Sequence, residues 1–158
     1  MATQDDDLKF MAEAIAEARH GFSEHGIPIG SVIVADGKIL GRGHNRRVQL
    51  DSPILHGEMD AFNNAGRQAP AVYKRATLFT TLSPCTMCAG TVLLYGIPRI
   101  VIGENRTVAN TTLCEGWLRS NGVEVVNFDS QECVDLMAEF IRLYPGVWNE
   151  DIGREHVA

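Results

Sequence analysis

Apolar residues recur at helical spacing from Leu8 through Met11, Ala14 and Ile15 to Ala18, behind the acidic run Asp5 to Asp7. That pattern predicts a first helix with its stripe turned to a core. The period then changes. Residues 27–35 are a β-rich run, Asp36-Gly37 follows, and residues 38–44 are a second run; Asp-Gly between two such runs predicts a hairpin. Residues 45–53 are polar and read as a loop. Residues 56–65 read as a second helix, with Gly66 as its stop. A strand over 77–82 runs into Ser83-Pro84-Cys85-Thr86-Met87-Cys88, and an apolar helical run over 91–95 ends at Gly96. Beyond it the pattern predicts a strand over 99–103, a polar loop over 104–112 placed to cover a site, a short helix over 113–120 and a strand over 123–126. Cys133, Leu136, Met137, Phe140 and Ile141 mark a last helix ended before Pro145, and a tail over 147–158 follows. Strands alternating with helices after a hairpin predict an α/β fold, a three-layer α/β/α sandwich on a mixed five-stranded sheet.

Length and charge narrow the function classes. A chain of 158 residues is expected to be one domain over 1–158, large enough to bury about 68–70% of its unfolded surface without staples. The net charge of −6, with no Lys/Arg-rich run, argues against nucleic acid as the partner and for a small, weakly charged substrate. The acidic N-terminus has no apolar signal core, and no apolar run reaches the length of a membrane span. The expectation is a cytoplasmic protein with its four cysteines reduced.

Two of those cysteines carry the chemistry. Proline suits the first turn of a helix, so Cys85 and Cys88 are expected in an opening turn, three apart and facing one way. The positive end of the helix favours thiolates, and two thiolates are a soft half-site for zinc or a redox pair. Upstream, His56-Gly57-Glu58 stands at the start of the second helix. Residues two apart converge only where the chain is not yet fully helical, so His56 and Glu58 are expected to straddle that start. His56, Cys85 and Cys88 make three ligands, the number of catalytic zinc sites that keep a place for water. Zinc brings the pKa of such water to about 7, and Glu58 is placed to shuttle its protons. A fourth ligand, His44, would instead close the site into a structural one. That leaves a non-catalytic zinc-stabilised interaction domain as the competing class.

His-x-Glu followed, 29 positions after the His, by the first Cys of Pro-Cys-x-x-Cys matches the signature of zinc deaminases. The chain resembles the fungal-type cytosine deaminases of the cytidine deaminase-like superfamily. The similar stretches run from Ile27-Pro28-Ile29-Gly30 through Gly41-Arg42-Gly43-His44-Asn45, Leu55-His56-Gly57-Glu58, Leu82-Ser83-Pro84-Cys85 and Gly103-Glu104-Asn105 to Trp148 with Glu150-Asp151-Ile152-Gly153. The resemblance implies hydrolytic deamination of a free base, cytosine to uracil, with guanine or another amino-heterocycle as the alternative. It implies Zn²⁺ on His56, Cys85 and Cys88, with Glu58 as the acid–base residue. Asn45 and the Gly57 N–H would hold the base carbonyl, Leu82 and Ser83 would lie beside the attacked carbon, and Asp151 would meet the amino or ring N–H edge. Ile29 and Trp148 would pack on the ring. It also implies a homodimer serving pyrimidine salvage. Val108 and Asn149 stand where the family carries aromatics, so the closing face of the pocket is expected to differ.

Plainer roles compete for several of these residues. Asn45 is also a good turn former, Trp148 a core anchor, and Asp151 a helix cap or surface charge. Cys114 and Cys133 read as small apolar residues, His20 as a surface histidine, and Arg46-Arg47 as a minor basic spot.

Overall fold

The computed structural model describes residues 4–108 and 111–154. Residues 109–110 of the expected loop and 155–158 of the expected tail lie outside the described residues. In chain order the elements are α1 (Gln4–Ser23), β1 (Gly30–Ala35), β2 (Lys38–His44), α2 (Arg47–Leu50), α3 (Gly57–Ala65), α4 (Pro70–Tyr73), β3 (Ala76–Leu82), α5 (Thr86–Tyr95), β4 (Arg99–Glu104), α6 (Thr111–Ser120), β5 (Glu124–Asn127), α7 (Gln131–Leu143) and α8 (Pro145–Asp151).

The five strands form one sheet in the order β2-β1-β3-β4-β5. β1 is antiparallel to both β2 and β3, and β3, β4 and β5 are parallel. The hairpin turns at Asp36 and Gly37, with φ of 50° and 73°, the two positive values that a two-residue type I′ turn needs. Successive side chains of a strand point to opposite faces, and the core divides accordingly. Ile33, Ala35, Leu78, Ile100 and Ile102 pack with Ala61, Phe62, Ala89, Val92 and Leu118 of α3, α5 and α6. Val32, Val34, Phe79 and Val101 pack on the other face with Phe10, Met11 and Ala14 of α1. The expected α/β/α layering on a mixed five-stranded sheet is therefore present.

Local details differ from the pattern-based expectations. Leu8 is 56% exposed. The buried stripe of α1 is Asp7, Phe10, Met11, Ala14, Ala18 and Gly21, which leaves Leu8 about 100° off its start. Asp7 is buried because both of its oxygens take Arg99, at 2.7 Å each. The polar stretch 45–53 holds one turn of helix, α2, begun where Asn45 Oδ1 accepts the Arg47 N–H at 3.1 Å and ended by Asp51 in the left-handed region. The tail is not irregular as far as Asp151. Pro145, which stops α7, is also the first residue of α8, because a ring that cannot continue one helix is preset to begin another.

Two antiparallel steps make β2 and β3 run the same way, so their C-terminal ends meet at one edge with that of β4. That edge carries Asn45 after β2, Ser83 to Cys85 after β3 and Asn105 to Val108 after β4. The carboxyl ends of parallel strands are where open α/β sheets bind ligands.

Candidate active site

Two helix starts face each other at this edge. Cys85 caps α5, with φ −74° and ψ 176°, and His56 caps α3, with φ −61° and ψ 163°. Pro84 thus precedes the cap rather than sitting in the first turn, and the cysteines occupy the cap and the third helical position, which face each other. Cys85 Sγ lies 3.5 Å from His56 Nδ1 and 3.7 Å from Cys88 Sγ, and Cys88 Sγ lies 3.8 Å from the same nitrogen. Tetrahedral zinc, bonded to sulfur at about 2.3 Å and to nitrogen at about 2.0–2.1 Å, sets S···S at about 3.8 Å and S···N at about 3.6 Å. The three donor atoms already have that spacing, and both the donor types and the distances suit zinc. His56 and Glu58 straddle the helix start as expected, and the positive ends of α3 and α5 converge on the donors.

Charge at the site follows the same geometry. The Cys85 thiol is pushed down to about 4, first by the Cys88 S–H and then, against burial, by His56. Cys88 is raised well above the usual thiol range by donating to Cys85, by burial and by the charge of Glu58. Burial pulls His56 down, but Cys85, Asp151 and Glu58 outweigh it and lift it to about 9. Glu58 is buried, with Oε2 3.5 Å from Cys88 Sγ. Its pKa is raised by burial and by the neighbouring thiolate. A carboxyl held in this way exchanges protons closer to neutrality than an ordinary one.

The centre opens into a cavity of about 460 Å³. Of the residues singled out from the sequence, Ile29, His56, Glu58, Leu82, Ser83, Cys85, Trp148 and Asp151 line it. Trp148 is 6% exposed and packs with Ile29, Leu82, Met137 and Phe140, so it is wall and core anchor at once. Ser83 Oγ is turned by Glu115, donating to Oε1 at 3.0 Å. Asn45 and Gly57 are buried and adjoin the lining residues Asp151 and His56. Asn45 Nδ2 donates to Asp151 Oδ1 at 3.2 Å. At Gly57 an added Cβ would sit 2.8 Å from Ile29 O, so this glycine lets the cap of α3 approach the start of β1.

His44 does not join the centre. Its Nδ1 is 3.1 Å from Glu17 and its Nε2 2.9 Å from Glu24, while its backbone N–H donates to Asp60. Glu17, His20 and His44 bring ligand atoms within 4.8 Å of one another. With both ring nitrogens in hydrogen bonds to carboxylates, however, the cluster is a closed tie between α1 and β2.

Some cavity residues are not singled out by the sequence as site residues, among them Met87, Leu113, Cys114 and Ile152. Arg47, read as part of a basic spot, instead holds Glu150 and Asp151.

Residues 4–104 match the family model described as the cytidine and deoxycytidylate deaminase zinc-binding region. The chain is 54% identical to cytosine deaminase of Candida albicans (strain SC5314 / ATCC MYA-2876) over 149 residues, covering 94% of this chain and 97% of that protein. Among solved structures, one from work on tRNA:A34 deaminases superposes with a TM-score of 0.69 at 26% identity, over 82% of this chain and 99% of the other. A guanine deaminase from Nitrosomonas europaea shares the fold, with a TM-score of 0.69 at 19% identity over 89% and 85% of the two chains.

Proposed function

The chain belongs to the cytidine and deoxycytidylate deaminase family of zinc-dependent enzymes, and from that membership we propose that it deaminates a free nucleobase, cytosine to uracil and ammonia, at the centre formed by His56, Cys85, Cys88 and Glu58. The observation that carries the reading is the convergence of His56 Nδ1 and the two sulfurs on one point, with the buried Glu58 carboxyl 3.5 Å from Cys88, at the floor of the cavity.

His56, Cys85 and Cys88 would hold the metal. Zinc there supplies a Lewis acid that brings the pKa of water to about 7. Glu58 takes one proton from the attacking water and delivers it to the ring nitrogen beside the amino-bearing carbon. It then passes the second proton to the amine, the C–N bond breaks, and ammonia leaves a carbonyl behind. Asp151, lining the cavity, is assigned the amino or ring N–H edge. The base carbonyl falls to the Gly57 N–H and to the Asn45 amide, whose second hydrogen is left after the bond to Asp151. Ile29 and Trp148 pack on the ring, and Leu82 and Ser83 lie beside the attacked carbon. A site with fixed polar partners rejects rings that lack the matching groups, because its own groups would go unpaired.

A second reading has a specific support. A cavity of about 460 Å³ with Val108 in its lining has room for 5-substituted cytosines and for guanine or another amino-heterocycle. We also read residues 1–158 as one domain that works as a homodimer in the cytoplasm, in pyrimidine salvage. The groove lined by Ile54, Met59, Phe62, Leu94 and Tyr95 supports the dimer, and the four free cysteines support a reducing compartment. Among the described residues no helix is long and apolar enough to cross a membrane.

Ammonia release should be measured on cytosine, 5-methylcytosine, guanine, cytidine and single-stranded DNA, for the wild type and Glu58→Gln. Cytosine should be turned over, and Glu58→Gln should lose at least the roughly 10²–10⁴-fold of a general acid–base group with its zinc retained. Turnover of cytidine or DNA above every free base, or near-normal turnover in Glu58→Gln, would sink the reading.

A further inference from the structure

Arg47 joins two consecutive acids of α8. Its Nη1 donates to Glu150 Oε2 at 3.0 Å and to Asp151 Oδ1 at 2.9 Å, its Nη2 to Glu150 Oε1 at 2.7 Å, and its Nε to Pro53 O at 3.2 Å. Although it starts in a polar loop, its side chain is only 12% exposed. The Arg47 N–H donates to Asn45 Oδ1, and Asn45 Nδ2 donates to Asp151 Oδ1, so residues 45, 47 and 151 close a ring of hydrogen bonds. His56 Nε2 stands 3.7 Å from the same Asp151 oxygen, on the side of the imidazole away from the thiols. Three partners therefore gather on Asp151 Oδ1. Among the described residues the side-chain hydrogen bonds to Asp151 all go to Oδ1 and none to Oδ2, and Asp151 is part of the cavity wall.

We propose that Arg47 is a positioning residue. It fixes the rotation of the Asp151 carboxylate, so that one oxygen is spent on the protein and the other is presented to the substrate, and it fastens α8 as the wall of the pocket. The proposal rests on the reading of Asp151 as a substrate contact.

The chemistry asks for arginine. Neighbouring helical residues point about 100° apart, and a rigid planar fork with five N–H groups spans two such carboxylates, whereas a lysine is a point charge that reaches one. Without the guanidinium, Asp151 would be a carboxylate with 3% exposure beside Glu150 and facing only the Asn45 amide and a distant imidazole. Such a carboxylate turns about its own bond or swings toward water, and in either case the pocket loses a fixed acceptor. Glu150, 66% exposed, is the outer arm, and exposed ion pairs contribute little by themselves. The effect on substrate therefore travels through Asp151.

Steady-state kinetics on Arg47→Gln, Arg47→Lys, Glu150→Gln, Asp151→Asn and the Arg47→Gln/Asp151→Asn double variant test this, with zinc content and circular dichroism alongside. Arg47→Gln should raise KM for the base about tenfold or more, the scale of a lost charge-assisted hydrogen bond, and lower kcat less, with zinc retained. Arg47→Lys should recover part of the loss, and Glu150→Gln should fall between it and the wild type. In the Asp151→Asn background Arg47→Gln should add less than about twofold, because the two act as a unit. A KM within about twofold of wild type, or losses that multiply in the double variant, would overturn the proposal. If Arg47→Gln fails to fold, Arg47→Lys decides by the same KM criterion. If the wild type deaminates no base, the functional reading fails by itself and α8 is followed directly. With Trp117→Phe leaving Trp148 as sole tryptophan, Arg47→Gln should redden its emission and open it to acrylamide; unchanged emission would overturn the clamp.

Discussion

His44 and His56 stand at the same edge of the sheet, each among groups that carry negative charge. His44 has a separate acceptor for each ring nitrogen, Glu17 at 3.1 Å and Glu24 at 2.9 Å. His56 has two sulfurs, at 3.5 and 3.8 Å, on Nδ1 alone. The two nitrogens of His44 point away from each other, each to its own carboxylate, so no single point faces both. His56 Nδ1 and the two sulfurs instead form a triangle with sides of 3.5, 3.7 and 3.8 Å around one point, the spacing that tetrahedral zinc needs. Residue type alone makes both clusters metal candidates; the difference lies in whether the donor atoms converge on one point.

The sharpest way to break this contrast is Cys85→Ala. It should abolish both stoichiometric zinc and measurable turnover, since ligand binding is linked to folding and two remaining ligands do not hold a catalytic ion. Metal analysis of the purified variant checks it, and full zinc occupancy would defeat the assignment.

Next in size is the reactivity of the thiols after the metal is stripped. Cys85, held near 4, is already a thiolate at neutral pH, whereas Cys133, pushed up to about 11 chiefly by burial, is ionised in only about one molecule in 10⁴ at pH 7. The lower intrinsic nucleophilicity of a low-pKa thiolate offsets only part of that ratio. Iodoacetamide should therefore mark Cys85 first, at a rate flat from pH 6 to 8, while labelling of Cys133 rises about tenfold per unit over that range. Zinc should protect Cys85. Peptide mass mapping reads the outcome, and a tenfold rise per pH unit at Cys85 would contradict the thiolate.

The smallest effect is on the other side of the comparison. His44→Ala removes two hydrogen bonds to carboxylates from a buried position and should cost about 1–3 kcal/mol in urea unfolding, with zinc and kcat retained. A change within about 0.5 kcal/mol, the level of an ordinary surface substitution, would show that the tie does not hold α1 to β2.

The periodicity of the chain carried most of the sheet. Asp36-Gly37 announced the hairpin, and strands over 27–35, 77–82 and 99–103 alternating with helices anticipated a sheet covered on both faces. The metal-facing trio and Glu58 were legible because their spacing is local to two helix starts. What escaped was non-local or ambiguous. Arg47 and its acids are more than 100 positions apart, and nothing in a polar loop signals such a partner. Pro145 was read only as a stop because the same ring serves both ends of a helix. Asn45 was torn between turn former and ligand contact, and its two polar atoms go separate ways: one begins α2 and the other meets Asp151. Trp148 and Asp151 were singled out by resemblance, since no periodicity marks a cavity wall.

The last helix lies against the mouth of the site, and this separates inheritance of the reaction from inheritance of taste. The family match ends at residue 104, and His56, Glu58, Cys85 and Cys88 all fall before it. Val108, Leu113, Cys114, Trp148, Asp151 and Ile152, all in the cavity lining, come after. Substitutions in the second stretch meet the admitted ring without replacing a metal donor or Glu58, so a library aimed at a new base belongs in residues 105–154.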